Sequence, residues 1–155
     1  MELNDLLGPR SVIADMRAGT KKQALHELAL RAAEITGRNE RAIFDVLLER
    51  ERLGSTGLGG GIAIPHGKLA GLDRLHGVFA RLVTPIDFEA IDQRPVDLVF
   101  MLLAPDSAGA DHLKALSRVS RALRDRALVE KIRATDRADA VYALLIDPVR
   151  PPQAA

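Results

Sequence analysis

Residues 96–104, VDLVFMLLA, form a nearly continuous apolar run that ends at Pro105. A run without polar alternation is typical of a strand that is covered on both faces. Residues 76–83, HGVFARLV, predict a second strand, and the short apolar run at residues 62–65 predicts a third. The strands are therefore expected to lie together in the middle of the chain.

Helical patterns stand before and after these strands. Apolar residues between Thr20 and Gly37 recur at helical spacing, which predicts a helix with Thr20 as its N-cap. A second helix is predicted from Asn39 to Gly54. After the strands, HLKALSRVSRALRD (residues 112–125) predicts a helix with Asp111 as its cap, and two shorter helices follow. This order predicts one layered α/β or α+β domain, without the regular alternation of an all-parallel fold.

Composition excludes several classes of function. The chain has no cysteine, so disulfides, iron–sulfur clusters and thiolate zinc sites are excluded, and a cytoplasmic location is expected. The net charge of +1 does not favour nucleic-acid binding. No apolar run approaches the roughly 20 residues of a membrane span, and the first ten residues lack the pattern of a signal peptide. The tail at residues 148–155 carries three prolines and is expected to be disordered.

A second conspicuous stretch is GSTGLGGGIAIPHGKL, Gly54 to Leu69, with six glycines and one histidine. The Walker pattern fails here because Ile62 stands at its first glycine and Leu69 at its hydroxyl position. The dinucleotide pattern fails at its last glycine in either frame, and the stretch follows a helix instead of a strand. No pair of histidines has the spacing of a metal site. We therefore expect no nucleotide cofactor and no metal.

His66 has the neighbours that a phosphoryl group would need. Pro65 fixes the backbone before it, and Gly67 lets a backbone N–H approach the imidazole without a Cβ in the way. Ser55 and Thr56 supply hydroxyl groups, and concave runs of N–H groups bind anions. A neutral imidazole is a nucleophile near pH 7. The alternative from the residues alone is a structural histidine in a turn.

Three blocks of the sequence resemble one known family. LLERERLGSTGLGGGIAIPHGKL (residues 47–69) resembles the active-site signature of the EIIA proteins of the bacterial phosphotransferase system, mannitol/fructose family. Residues 84–105 and 112–125 resemble two further blocks of that family, and the nitrogen-regulatory branch is the most similar. The resemblance implies a single-domain layered α/β fold over residues 1–147, with a central mixed sheet flanked by helices.

The resemblance also implies a role for each residue of the site. His66 would be the catalytic residue that is phosphorylated on Nε2, and His112 would hydrogen-bond the phosphoryl group. Phosphoryl-binding groups would come from Arg50, Ser55, Thr56 and Gly67. Without the family, His112 reads as an ordinary residue at a helix start and Arg50 as part of a solvated helix end. Asp97 is left outside the site, as a residue that pairs with the backbone or an arginine.

The implied activity is phosphoryl transfer from an HPr- or NPr-type phosphocarrier protein, with a regulatory output on target proteins such as potassium transporters or sensor kinases. One alternative is a sugar-specific EIIA that passes the group to a separate IIB component. The other is a pure binding module whose site is silent.

One departure from the family concerns Gly60, where the commoner loop has asparagine. The sequence therefore predicts that a polar side chain near the site is missing.

Overall fold

The computed structural model describes residues 1–147, so the tail predicted for residues 148–155 lies outside the described residues. Two short 3-10 helices, Leu3–Asp5 and Pro9–Ser11, precede the first strand. The strands are β1 (Val12–Met16), β2 (Gly57–Gly59), β3 (Ile62–Ala63), β4 (His66–Leu69), β5 (His76–Ile86) and β6 (Val96–Pro105). The helices are α1 (Lys21–Thr36), α2 (Glu40–Arg52), α3 (Ala110–Leu123), α4 (Arg126–Arg133) and α5 (Ala138–Ile146).

The six strands form one mixed sheet: five follow the order β1-β5-β6-β3-β2, and β4 pairs with β6 outside this path. Strand β6 is antiparallel to β5 on one side and parallel to β3 and β4 on the other. Strands β3 and β4 pair with successive parts of β6, because Ile62 lies opposite Leu98 and His66 lies opposite Leu102. His66 therefore begins a strand beside the carboxyl end of β6.

The apolar run at residues 96–104 is the central strand, which confirms that it is covered on both faces. Val99, Met101 and Leu103 belong to the core beneath α1 and α2. The alternate residues belong to a second core beneath α3, α4 and α5: Leu98, Phe100 and Leu102. The period of two along an extended strand produces this division. The fold is thus the predicted single-domain α/β architecture, with helices on both faces of a mixed sheet.

Helices α1 and α2 begin where the sequence predicts them, and α3 does not. The Thr20 side chain accepts a hydrogen bond from the Gln23 amide (3.1 Å), and Asn39 caps α2 in the same way. The predicted cap at Asp111 is wrong. Helix α3 begins at Ala110, after an N-cap at Gly109, so that Asp111 lies inside the first turn. An acidic residue there still interacts favourably with the helix dipole.

Candidate functional site

His66 lies at the start of β4 with its ring half-buried, and its tautomer is fixed by one hydrogen bond. Its Nδ1 lies 2.8 Å from the carbonyl oxygen of Ile64. Because a carbonyl can only accept, Nδ1 carries the proton and donates it to Ile64. A neutral imidazole has one N–H, so the lone pair is on Nε2. The local backbone therefore selects Nε2 as the nucleophilic atom.

His112 is the third residue of α3 and contacts the His66 ring edge-to-face, with 5.5 Å between the ring centroids. It is only 8% exposed, and its Nε2 has no hydrogen-bond partner among residues 1–147. A buried polar atom without a partner is unfavourable by about 1–3 kcal/mol, so it calls for an explanation. A group bound at His66 would supply that partner.

Both histidines are held neutral by their surroundings. Burial lowers the pKa of His66, the Arg50 guanidinium lowers it further, and the bond to Ile64 and the Glu51 carboxylate act in the opposite direction. Burial also lowers the pKa of His112, with smaller contributions from His66 and Lys68. The site therefore offers one unprotonated nitrogen as a nucleophile and a second imidazole as a hydrogen-bonding partner.

We expect the His66 ring to titrate below the ordinary histidine value of about 6.5. The unfolded chain then takes up the proton first as the pH falls. The stability that His66 contributes is therefore fully present above about pH 6.5 and is lost as the pH falls through the lower, folded-state pKa. NMR titration of the ring, with His66→Gln to identify its signal, measures this value. A midpoint at or above 6.5 would contradict the expectation.

Arg50 lies in the last turn of α2, and its guanidinium donates a hydrogen bond to the Gly54 carbonyl (2.9 Å). Its positive charge also lowers the pKa of His66. Arg50 therefore braces the loop that follows the helix, and its contact with a phosphoryl group stays a prediction.

The hydroxyl groups of Ser55 and Thr56 already have protein partners. Ser55 Oγ donates to the Phe88 carbonyl (2.7 Å) and accepts from the Gly57 amide (3.0 Å). Thr56 is buried, and its Oγ1 donates to the Glu51 carboxylate. Both residues therefore shape the loop, and a direct contact of either hydroxyl with a phosphoryl group stays a prediction.

Close packing against helix α2 requires glycine at position 67, a requirement that the sequence did not indicate. A Cβ at this position would overlap Cγ1 of Val46, on helix α2. The missing side chain lets β4 lie directly against the helix that carries Arg50. A contact between the Gly67 amide and a phosphoryl group likewise stays a prediction.

Glu51 and Lys21 are the residues near the site that the sequence reasoning missed. Glu51 is buried at the end of α2, where its carboxylate accepts from the Thr56 amide (3.1 Å) and forms an ion pair with Lys21 (2.9 Å). It lies in the charged run at residues 49–52, a pattern that predicts a solvent-exposed helix end instead of a buried carboxylate. The signal that could have found it is the helical spacing, because position 51 falls four residues after the buried Leu47.

Gly60 and Asp97 lie in a separate cluster. Gly60 has a φ of 69°, its amide donates to Asp92 (2.9 Å), and its carbonyl accepts from Arg133 (2.8 Å). Arg133 also forms an ion pair with Asp97 (2.8 Å), as expected for a residue outside the site. Left-handed backbone suits glycine first and asparagine next, which explains both residues at this position. These contacts give a backbone reason for glycine at position 60, and the loss of a polar side chain from the site stays a prediction.

We expect Gly60→Asn to change the free energy of unfolding by less than about 1 kcal/mol and to leave the chemistry at His66 unchanged. No heavy atom lies within 4 Å of the place of its Cβ. Gly61→Asn is the matched control, because a Cβ there would overlap Arg133 and lie 2.9 Å from Asp97. That variant should lose more stability than Gly60→Asn in denaturant unfolding, because Arg133 can move aside only by giving up its ion pair with Asp97. Equal losses in the two variants would contradict this explanation.

Neither a metal-binding cluster nor a membrane-spanning helix is found in the described part of the chain. Among residues 1–147, no group of three or more His, Cys, Asp or Glu side chains is placed to hold a metal ion. None of the helices in this part of the chain has the length and apolar character of a membrane span.

Comparisons with known proteins agree with one another. Residues 5–147 match the family model described as "Phosphoenolpyruvate-dependent sugar phosphotransferase system, EIIA 2". The nitrogen regulatory protein of Bradyrhizobium diazoefficiens is 56% identical over 148 residues, which cover 96% of this chain and 97% of that protein. The crystal structure of the nitrogen regulatory protein IIA-Ntr from Neisseria meningitidis superposes with a TM-score of 0.86 at 36% identity, covering 92% of this chain and 98% of that one.

A more distant structure shows the same fold. The mannitol IIA protein of Escherichia coli superposes with a TM-score of 0.76 at 24% identity, over 90% of this chain and 98% of that one. The match of the family model over nearly all of the described residues, together with the similarity to nitrogen regulatory proteins, shows that the chain belongs to the EIIA 2 family of the phosphoenolpyruvate-dependent sugar phosphotransferase system.

Proposed function

We propose that this EIIA protein accepts a phosphoryl group on Nε2 of His66 from a histidine of an HPr- or NPr-type phosphocarrier, and that the phosphorylated and free forms act as a regulatory switch. The observation that carries the proposal is the bond from Nδ1 of His66 to the Ile64 carbonyl. It leaves the lone pair on Nε2 of a half-buried ring that contacts His112.

The transfer requires no other reactant. The Nε2 lone pair attacks the phosphorus atom in line, a new N–P bond forms, and the donor's N–P bond breaks with its electron pair returning to the donor imidazole. The proton on Nδ1 of His66 stays in place throughout. Charge spreads over three equatorial oxygens in such a transition state, so catalysis rests on positioning and on electrostatic stabilisation. Arg50 and His112 are the groups beside His66 that would supply both.

Exposed apolar side chains on the helices that carry Arg50 and His112 support a protein as the donor. Leu113 directly follows His112 and is 69% exposed, and Leu53 caps α2 and is 83% exposed. Large exposed apolar side chains around a polar site are typical of a surface that another protein covers. A phosphohistidine of a carrier could reach the ring across such a surface.

A regulatory output follows from the charge of the group. Phosphorylation would add about −1.5 to −2 charges to a chain whose net charge is +1, which reverses the sign of the net charge. Such a local change alters which partners bind. The relatives named nitrogen regulatory proteins support a regulatory role. The cytoplasmic location and the targets that the family resemblance implies, a potassium transporter or a sensor kinase, stay predictions.

The second candidate is a sugar-specific EIIA that passes its phosphoryl group to a separate IIB component. The name of the matching family model, which specifies a sugar phosphotransferase system, favours it. The same His66 chemistry would serve, and only the acceptor would differ.

Incubation with a ³²P-labelled HPr-type carrier tests the proposal. We expect the full-length protein to take up label within seconds to minutes and to keep it when no IIB protein is added. Absence of uptake at equimolar carrier would overturn the proposed function. Rapid loss of label to a purified fructose- or mannitol-type IIB protein would establish the sugar-specific alternative. A target that binds the phosphorylated and the free protein with equal affinity would favour a module that acts by contact alone.

A further inference from the structure

The Glu51 carboxylate is an unusual neighbour for a phosphoryl acceptor. Its side chain is only 2% exposed, and both of its oxygens hold Thr56: Oε1 accepts from the Thr56 amide at 3.1 Å, and Oε2 accepts from the hydroxyl. These bonds tie the last turn of α2 to the loop that leads toward β2 and β3.

The loop is also held from its other side. The Ser55 hydroxyl donates to Phe88 (2.7 Å), and a Cβ at Gly57 would lie 2.8 Å from the Ala90 backbone. The segment at residues 54–57 is therefore enclosed between α2 and residues 88–90. Arg50, one residue before Glu51, donates to the Gly54 carbonyl at the start of this segment. Movement of Glu51 would thus disturb the cation beside His66.

Glu51 also presents a charge problem for the proposed transfer. Its carboxylate is close enough to His66 to influence the ring electrostatically. An incoming phosphoryl group is negative, so an uncompensated buried carboxylate would repel it. The repulsion is stronger there than in water, because the effective dielectric constant of the protein is lower.

Lys21, on helix α1, supplies a positive charge that compensates the Glu51 carboxylate. Its Nζ lies 2.9 Å from Glu51 Oε1, 3.5 Å from the exposed Glu89, and 4.9 Å from the centre of the Phe88 ring. It is the first residue of α1, where the helix dipole disfavours a cation. A lysine at that place is explained by the carboxylate opposite it, which is the one buried acidic side chain among residues 1–147.

We propose that Lys21 and Glu51 are positioning residues of the phosphoryl-acceptor site. Glu51 clamps the loop at residues 54–57, and Lys21 cancels the charge of that carboxylate so that the phosphoryl group can approach His66. This inference rests on the proposed function, since it concerns the same transfer.

The rate of label uptake from the ³²P-labelled HPr-type carrier tests the inference in the full-length protein. We expect Lys21→Met to slow uptake at least about tenfold, because it leaves the carboxylate without its counter-charge. The double variant Lys21→Met/Glu51→Gln removes both charges and keeps an amide oxygen for Thr56, so uptake should return to within about threefold of wild type. Lys22→Met, a change of the exposed neighbouring lysine, is the matched control and should behave as wild type.

The His66 pKa, measured by NMR titration, separates this role from a merely structural one. Lys21→Met should raise that pKa, since the uncompensated carboxylate favours the imidazolium. Glu51→Gln should lower it, and the double variant should lie between the two. A loosened fold with no electrostatic link would move both single variants in the same direction, toward the ordinary histidine value.

Each result has a definite meaning. Uptake by a folded Lys21→Met variant at the wild-type rate, or a folded double variant as slow as Lys21→Met, would overturn the inference. If Lys21→Met does not fold, the double variant decides: rapid uptake supports the inference, and slow uptake by a folded protein contradicts it. Failure of the wild-type protein itself to take up label concerns the proposed function, and is thus distinguishable from failure of the Lys21 variants alone.

Discussion

His66→Ala is expected to reduce phosphoryl uptake from a charged HPr-type carrier to the background level. The variant removes the proposed nucleophile, Nε2 of a ring whose other nitrogen donates to Ile64. The neighbouring hydroxyl groups cannot replace it, because Ser55 and Thr56 donate to Phe88 and Glu51. We therefore expect no partial activity.

The assay compares the label bound to wild type and variant after gel separation at alkaline pH. His26→Ala is the matched control: His26 is an exposed histidine on α1, paired with Glu40 (2.7 Å), and its removal should leave uptake unchanged. Phosphohistidine is labile to acid and stable to base, so the label should disappear on brief acid treatment. Wild-type labelling of a folded His66→Ala protein would contradict the assignment, and label that survives acid would point to Ser55 or Thr56.

His112→Ala is expected to slow the transfer by about 10²–10³-fold while leaving the acceptor intact. The reason is the buried Nε2 of His112, which has no partner among residues 1–147 and lies in a ring that contacts His66. A hydrogen-bonding group placed where charge develops contributes about this much to a transition state. The final extent of labelling should be much less affected than the rate.

His112→Gln distinguishes this role from packing. Glutamine keeps an N–H donor near the position of Nε2 and fills a similar volume, so it should recover a substantial part of the lost rate. Rapid-quench measurements of the first turnover give the rates of all three proteins. Equal rates for wild type and a folded His112→Ala would exclude His112 from the transfer, and equal loss in both variants would point to a purely structural role.

The fold could be predicted from the sequence where the pattern is local. The apolar run at residues 96–104 identified the central strand because burial on both faces leaves no polar position but Asp97. Strand β4, by contrast, lies within the glycine-rich stretch, and the sequence does not predict it as a strand. It is four residues long and holds a glycine and a lysine, so it shows no alternation, and pairing with β6 stabilises it.

In the site, too, local sequence patterns could be predicted, whereas contacts between distant residues could not. His66 was predictable because its proline, glycines and hydroxyls are neighbours in sequence. The partners of those hydroxyls were not, since Phe88 lies 33 residues from Ser55. Lys21 and Glu51 meet only in the folded chain, across two helices, and Glu51 stands in a run of alternating charge that reads as solvated. Family resemblance supplied the role of His112, which no local pattern indicates.

The position of the phosphoryl group on the ring is the decisive measurement. The ¹⁵N-labelled protein, phosphorylated by the carrier and held at alkaline pH, is examined by ³¹P and ¹H–¹⁵N correlation NMR. Because Nδ1 of His66 donates to the Ile64 carbonyl, we predict a single N–P bond at Nε2 of His66. A phosphoryl group on Nδ1 of His66, on another histidine or on a hydroxyl oxygen would contradict the proposed chemistry.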